Sequence, residues 1–134
     1  ESIAQELSDS IRSGIMLTPG NLFSFLLYTE EVKQGIETEV LWNRFQKLLS
    51  VLSKSQFHLA SNLPTLPKEW FQLQLDKCSQ NGFINLSNGY LKSKENLYRE
   101  PAGRARKYRK TNPYLYHYNQ IIHWKEKLEE YWKS

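Results

Sequence analysis

Residues 57–93, FHLASNLPTLPKEWFQLQLDKCSQNGFINLSNGYLKS, decide the fold that the sequence predicts. Leu59 and Leu63 stand four residues apart, and this spacing predicts a short helix with one buried side. Pro64 then ends that helix, because proline lacks a backbone N–H and clashes with the preceding turn. A longer helix is predicted over residues 66–80, so the stretch contains two helices joined by a tight turn.

The longer helix has a start signal and a stop signal, and a hairpin follows it. Thr65 is a suitable cap for its first turn, and Asn81-Gly82 is typical of a helix end. Residues 83–86 and 90–93 form two short strand-like segments around Asn88-Gly89. Because Asn-Gly between two such segments is the strongest short-range hairpin signal, we expect a β-hairpin here.

Helix, tight turn, longer helix and hairpin together resemble a winged helix-turn-helix, a DNA-binding fold. The matching pattern is Leu-Ala-x-x-Leu at 59–63, a turn, and a helix that closes on Asn-Gly-Phe-Ile at 81–84. It covers about a quarter of the chain. The chain departs from the pattern at Pro64, where many such motifs have glycine, and in a second helix that is one residue longer than usual. The fold class expected is mainly α with a small β-hairpin, flanked by N-terminal and C-terminal helical extensions.

A second resemblance concerns the residues after the hairpin. Residues 89–93 (GYLKS), followed by residues 103–108 (GRARKY) and Thr111, are similar to the long wing and exit strand of PadR-type regulators. The second aromatic residue, the apolar residue before Thr111 and the glycine after it are absent here. The resemblance implies a long wing over 89–110 and a C-terminal helix that forms a dimer. The short wing over 83–92 is the preferred alternative, because Asn88-Gly89 is the better turn.

Helical patterns flank this region on both sides. Helices are predicted over residues 2–13, from Asn21 to Gln34 with Gly35 as its end, and over residues 38–53. The helix over residues 38–53 is expected to be the first helix of the winged fold. The predicted organisation is an acidic two-helix extension over 1–37, a winged helix-turn-helix core over 38–93, a basic linker over 94–112 and an aromatic C-terminal helix over 113–134. The predicted core consists of Leu41, Phe45, Leu48, Leu52, Leu59, Leu63, Phe71, Leu75 and Ile84.

Charge is distributed unevenly along the 134 residues. Residues 1–40 hold two bases and seven acids, whereas residues 41–134 hold sixteen bases and seven acids, a net charge of +9. This asymmetry directs the larger part of the chain towards a polyanion. The single cysteine, Cys78, suits a reducing compartment. The chain begins at Glu1 and is expected to be a fragment of a longer protein or a processed form, with no signal peptide and no membrane partner.

Catalysis has little support in the residue pattern. The histidines are His58, His117 and His123, and none has the spacing to another histidine, a cysteine or a carboxylate cluster that metal binding needs. No glycine-rich phosphate loop and no nucleophile elbow is present. The sequence therefore predicts a protein that is not an enzyme and carries no metal or cofactor.

Binding of double-stranded DNA is the preferred function, with regulation of transcription as its expected role. Gln72 is a candidate for adenine and Lys68 for guanine or phosphate, although Glu69 and Asp76 share their face and repel phosphate. The residues over 92–110 carry eight bases and two acids, which suits phosphate contacts. The full set of candidate DNA contacts is Lys68, Gln72, Lys92, Lys94, Arg99, Arg104, Arg106, Lys107, Arg109 and Lys110.

Several alternatives remain open beside this interpretation. The acidic or aromatic helices suit a protein partner, which would make the chain a protein-interaction module on a winged-helix scaffold. Basic residues interleaved with tyrosines also suit single-stranded RNA, and the basic run alone suits a localisation signal or a solvated linker. An intracellular location, cytoplasmic at the nucleoid or nuclear, is expected. A homodimer is expected through the acidic helices, the C-terminal helix or both, with intramolecular packing of the two extensions as the alternative. The C-terminal face consists of Tyr114, Tyr118, Ile121, Trp124, Leu128, Tyr131 and Trp132.

Overall fold

The structure, a computed structural model, describes residues 16–55, 57, 59–60, 63–99 and 112–133. These residues form a mainly helical protein with a small antiparallel sheet of three strands, which confirms the predicted class of mainly α with a β-hairpin. The helices are α1 (Pro19–Leu27), α2 (Glu30–Gln34), α3 (Thr38–Ser53), α4 (Lys68–Gln80), α5 (Pro113–Gln120) and α6 (Lys125–Lys133). The strands are β1 (Ile36–Glu37), β2 (Ile84–Ser87) and β3 (Tyr90–Ser93), and 3-10 turns cover Leu63–Thr65, Glu95–Tyr98 and Ile122–Trp124.

The first described helix begins earlier than the sequence predicted. Thr18 caps α1, because its hydroxyl accepts a hydrogen bond from the Asn21 amide while the Asn21 side chain accepts one from the Thr18 amide. Pro19 occupies the first helical position, where its missing N–H costs nothing. The helix predicted to reach Gln34 is two helices, and Gly35 with φ 109° ends the second. The helix predicted over 2–13 lies outside the described residues.

The short helix predicted at residues 59–63 is wrong. Leu59 instead forms an isolated parallel bridge with Leu17, and the Ala60 amide donates to the Leu17 carbonyl oxygen at 2.9 Å. Among the described residues before α4, a 3-10 turn then covers Leu63–Thr65. The leucine spacing was compatible with a helix, but a distant backbone segment supplies the hydrogen bonds. The next helix, α4, is capped at Pro67 rather than at Thr65.

The hairpin prediction is confirmed, and a third strand joins it. Asn88 and Gly89 form the tip with φ values of 53° and 74°, as a two-residue turn of the mirror-image type requires. Strand β1 pairs with β3, so that the sheet order is β1-β3-β2. The Thr38 amide donates to the Gly89 carbonyl oxygen at 2.8 Å, which fixes the start of α3 against the hairpin tip.

One buried cluster connects nearly all the described elements. Of the predicted core, eight residues are buried, and Leu59 is partly buried against them. Phe45 of α3 stacks on Phe71 of α4 with ring centroids 5.5 Å apart. Residues from both regions that the sequence analysis assigned to extensions belong to the same cluster. They include Leu22, Phe23, Phe25, Leu26, Leu27 and Val32 on one side and Ile121, Leu128 and Trp132 on the other.

The C-terminal region is broken where one long helix was predicted. Leu115 and Ile121 are both buried, yet six residues separate them, which is roughly 240° on a regular helix. The 3-10 turn at Ile122–Trp124 allows both to reach the core. The aromatic face expected to be exposed is therefore packed within the chain, as the intramolecular alternative stated. The homodimer stays a prediction, but an exposed aromatic face on the C-terminal helix no longer supports it. No helix in the described part of the chain is both long and apolar enough to cross a membrane.

Candidate nucleic-acid interface

Two of the candidate DNA contacts lie on the exposed side of α4. Lys68, in its first turn, forms a salt bridge with Glu39 of α3. Gln72 donates its side-chain amide to Asp76 one turn later, at 3.1 Å. Both side chains thus have partners within the chain. Exposed pairs of this kind contribute little free energy, so a phosphate or base edge competes with them easily.

The exposed side of α4 carries no excess of positive charge. Lys68 and Lys77 are balanced by Glu69 and Asp76. Leu73, near the middle of the helix, has 49% of its surface exposed. Contact with a DNA backbone therefore gains little from this helix, and an apolar surface is available beside it.

The hairpin presents two further candidates on its outer face. Leu91 is fully buried while Lys92 and Lys94 are exposed, as the alternation along a strand dictates. The Lys94 amide donates to the Phe83 carbonyl oxygen at 2.9 Å and extends the pairing beyond β3. Glu37, opposite Tyr90 on β1, is the carboxylate on this face among the described strand residues. The outer face of the hairpin is thus weakly basic.

Asn112 joins the two ends of the most basic part of the chain. Its side-chain amide lies 3.1 Å from the Leu97 carbonyl oxygen, 3.3 Å from that of Arg99 and 3.4 Å from that of Asn96. Its side-chain oxygen accepts from the Leu115 amide and caps α5. Asn112 is only 2% exposed, so these bonds replace its hydration. We refer to this arrangement as the Asn112 cluster.

Arg99 and Asn112, the described residues on either side of the basic segment (residues 100–111), both belong to the Asn112 cluster. The segment's candidate contacts Arg104, Arg106, Lys107, Arg109 and Lys110 lie outside the described residues. The neighbouring candidate Arg99 is exposed, with its guanidinium 3.7 Å from the Glu95 carboxylate. The residues that flank the segment, Arg99 and Asn112, therefore meet beside the 3-10 turn that follows β3. The sequence indicated Asn112 only as a helix cap, and nothing in its pattern marked the contact with residues 96–99.

The turn that carries the Asn112 cluster is itself fixed to the helical core. The Tyr28 hydroxyl donates to the Leu97 carbonyl oxygen at 2.6 Å, and the Tyr98 ring packs edge-on against Tyr28. The Tyr98 hydroxyl lies 2.7 Å from that of Ser93, at the end of β3. Hairpin, turn and α1 are thus linked at the point where the basic segment begins.

The described titratable groups offer no obvious reactive centre. Burial raises the pKa of the Cys78 thiol to about 12, despite a hydrogen bond from Tyr114, so the thiol is protonated and unreactive. Burial, and then the neighbouring Cys78, also raises the pKa of Tyr114. Within residues 16–55, 57, 59–60, 63–99 and 112–133 no three His, Cys, Asp or Glu side chains converge as metal ligands.

The candidate residues therefore fall into two groups. Lys92, Lys94 and Arg99 lie close in sequence to the Asn112 cluster and to the ends of the basic segment, whereas Lys68 and Gln72 lie on α4 with partners of their own. The residues of the first group suit contact with phosphates. Lys68 and Gln72 suit contact with bases in a DNA groove only after they have released Glu39 and Asp76. Comparison with known proteins finds no matching family model, no matching curated protein and no matching solved structure.

Proposed function

We propose that this chain binds double-stranded DNA through the β2–β3 hairpin and the basic segment, as the winged-helix part of a transcription regulator. Support comes from the order of elements, in which a short strand precedes two helices and then joins the hairpin as β1-β3-β2. In this proposal α1 and α2 take the place of the first helix, α3 the second and α4 the recognition helix. The sequence pattern had instead predicted α3 as the first helix of the winged fold.

The connection between α3 and α4 departs from a helix-turn-helix. Residues 54–67 separate these helices, whereas the motif normally uses a turn of about three or four residues. Packing rather than a tight turn positions α4, since Phe71 stacks on Phe45 and lies 5.1 Å from the Trp42 ring. The proposed recognition helix is thus held rigidly, although its connection is long.

The Asn112 cluster is the observation that carries the proposal. The basic segment holds five cations and one carboxylate, a net charge of +4 over residues 100–111. Because Arg99 and Asn112, the described residues on either side of the segment, meet beside the hairpin, we propose that these charges act on the same duplex as Lys92 and Lys94. Cations that neutralise phosphates release counterions from DNA, and this supplies most of the affinity for any sequence.

The neutral side of α4 limits how much sequence the protein reads. Phosphate contacts position a protein on the duplex, whereas base contacts give specificity. Lys68 would have to exchange Glu39 for DNA, and Gln72 would have to release Asp76. We therefore propose binding that is strong in low salt and only weakly selective for sequence.

The proposal is tested by titrating a fluorescent random-sequence duplex at several salt concentrations. In the test variant Arg104, Arg106 and Arg109 are changed together to Gln. The slope of log affinity against log salt concentration should then become less steep by roughly 2–3. The matched control changes Lys125, Lys127 and Lys133 to Gln. These lysines are exposed on α6, so the control removes the same amount of positive charge from a different part of the protein. Equal effects of the two triple variants, or an unchanged slope for the first, would contradict the proposal.

A protein-interaction role is the second candidate, and Leu73 favours it. Single exposed leucines are common on protein surfaces, but Leu73 on a neutral helix face offers an apolar contact that suits a protein partner better than a phosphate backbone. Absence of duplex binding by the parent chain in low salt would favour this role. Preferential competition by single-stranded RNA would instead favour RNA as the ligand. The proposed DNA-binding role is non-catalytic, requires no cofactor and places the protein at the nucleoid or in the nucleus.

A further inference from the structure

A cleft of about 200 Å³ lies between α1, α4 and α5. Its described lining includes no lysine, arginine or carboxylate side chain. The cleft is thus suited to an uncharged molecule. The residues that determine its chemistry are Gly20, Phe23, Ser24, Trp70, Tyr114 and His117.

Three aromatic rings from three different helices form the apolar part of the cleft. Phe23 of α1 lies 6.0 Å from Trp70 of α4, with the rings almost perpendicular. It lies 6.1 Å from Tyr114 of α5, at an angle of 53°. Rings in such tilted and edge-on arrangements present both faces and edges to a flat molecule, which gains favourable contacts with each.

Ser24 contributes a buried hydroxyl that has no partner. The residue is 1% exposed, and among the described residues its Oγ finds no hydrogen-bond partner. A buried hydroxyl without a hydrogen bond is unfavourable, because it has lost water and gained nothing in return. Because Ser24 lines the cleft, a ligand that shifts the neighbouring side chains slightly would reach this hydroxyl and recover that loss.

The hydrogen bonds around His117 indicate which of its ring nitrogens accepts. Asn21 accepts from the Thr18 amide with its side-chain oxygen, so its side-chain nitrogen is the atom that donates to Gln120. Gln120 therefore directs its oxygen, not its nitrogen, towards this site. That oxygen lies 3.3 Å from His117 Nδ1, an arrangement that favours the tautomer with the proton on Nδ1. In the neutral ring, Nε2 is left as an acceptor.

Gly20 leaves space beside this acceptor. A methyl group at residue 20 would lie 3.6 Å from His117 Nε2 and from its neighbouring ring carbon, an ordinary van der Waals distance. Glycine in the first turn of a helix has no conformational requirement here, because its φ is not positive. Its small size instead keeps the Nε2 edge of the imidazole open to the cleft.

We propose that this cleft binds a small, flat, uncharged heteroaromatic molecule with one N–H donor, similar to indole. The three rings bind its apolar faces, and His117 Nε2 or the Ser24 hydroxyl accepts its N–H. The size is appropriate, since an apolar cavity of roughly 150 Å³ holds benzene. This inference does not depend on DNA binding, and its test uses no DNA.

Indole itself is the probe, added to the ¹⁵N-labelled chain and followed by two-dimensional NMR. Saturable shifts are expected for the backbone amides of Ser24 and Gln74 and for the side-chain N–H of Trp70. The compound 1-methylindole has the same rings without the donor, so it should bind roughly threefold to tenfold more weakly. Absence of saturable shifts at these groups up to the solubility of indole would overturn the proposal, as would equal binding of the two compounds.

Two conservative variants test the cleft without removing its aromatic walls. Gly20→Ala should weaken indole binding roughly tenfold by filling the space beside His117, while the contact distance allows the fold to remain intact. Ser24→Ala should weaken it roughly threefold or more, with Ser50→Ala on the exposed side of α3 as the control. Thermal unfolding confirms that each variant is folded. Unchanged indole binding in folded Gly20→Ala would overturn the assignment to this cleft.

Discussion

Arg44 and Trp132 are in direct contact, with the guanidinium carbon 4.2 Å from the centroid of the indole ring. Arg44 also donates to the Trp132 carbonyl oxygen at 2.8 Å. Glu31 completes the contact, because it accepts from Arg44 at 2.8 Å and from the Trp132 ring N–H at 3.0 Å. Three residues on α2, α3 and α6 thus fasten the C-terminal helix to the core.

Removing the guanidinium should destabilise the fold. Arg44→Met keeps an apolar stem over Trp132 but loses the hydrogen bonds to Glu31 and to the Trp132 carbonyl oxygen. With the Arg44 side chain 30% exposed, we expect a loss of about 2 kcal/mol in the free energy of unfolding. Urea denaturation measures it. Lys47→Met, at an exposed position of the same helix, should stay within about 0.5 kcal/mol of the parent. Similar losses in both variants would contradict the importance of this contact.

The same contact predicts a loss of stability in acid. Burial raises the pKa of Glu31, but hydrogen bonds from Trp132 and Arg44 outweigh it, and the net pKa is lowered. A carboxyl with a lowered pKa stabilises the folded state above its unfolded pKa, about 4.3. That contribution disappears as the pH falls through the lowered folded value.

Comparison of Glu31→Gln with the parent chain tests this sign. The difference in their free energies of unfolding, measured by urea denaturation from pH 7 to pH 3, should shrink at the acidic end. Glu30→Gln, at the exposed neighbouring position, controls for the loss of one carboxylate. A difference between Glu31→Gln and the parent that grows towards low pH would show the opposite linkage.

Glycine is needed at position 35 because of its backbone conformation, more than because the Tyr90 ring lies close to it. Its φ is 109°, and a Cβ would lie 2.8 Å from the Tyr90 ring. Tyr90 is 48% exposed and its ring can move aside, so conformational strain should dominate. We expect Gly35→Ala to cost at least about 1 kcal/mol, and nearly as much when Tyr90→Ala is also present. A double-mutant cycle of thermal unfolding measures this, and near-complete rescue by Tyr90→Ala would assign the cost to the ring instead.

Asn112 should stabilise the fold through the N–H groups of its side chain as well as through its capping of α5. Asn112→Ser keeps an oxygen that can accept from the Leu115 amide but removes the N–H groups that face residues 96–99. The Leu97 carbonyl oxygen keeps the Tyr28 hydroxyl as a donor, but those of Asn96 and Arg99 lose the Asn112 amide, so we expect a loss of about 1 kcal/mol in the free energy of unfolding. Asn43→Ser, at an exposed position of α3, is the control for the same substitution. Equal stability of the two variants in urea would reject a structural role for the cluster.

Local patterns predicted the elements that local interactions determine. The helix from Thr38 to Ser53 has its leucine stripe in one turn after another, and the Asn88-Gly89 turn depends on backbone conformations that few other residue pairs adopt. The helix ends predicted at Gly35 and at Asn81-Gly82 are also confirmed, because the interactions that end a helix act within one turn. Such features need no knowledge of the rest of the chain.

Features that depend on distant partners were missed. Leu59 pairs with Leu17 across more than forty residues, and β1 is too short for its strand character to appear in the sequence. The C-terminal aromatic stripe suited both a dimer surface and packing within the chain, and only the structure shows that Trp132 meets α2 and α3. The cleft is a similar case, because Phe23, Trp70 and Tyr114 come together only after three helices pack.

The Asn112 cluster also sets the size of the DNA footprint in the proposed complex. A chain of twelve residues whose two ends meet can extend at most roughly 20 Å from its point of attachment. Successive base pairs are roughly 3.4 Å apart along the helix axis, so this radius covers about six base pairs. Phosphates well beyond this distance should contribute little to the proposed contact, even when the length of an arginine side chain is added. A blunt duplex of about a dozen base pairs centred on the hairpin should therefore bind one copy of the chain as tightly as a longer one.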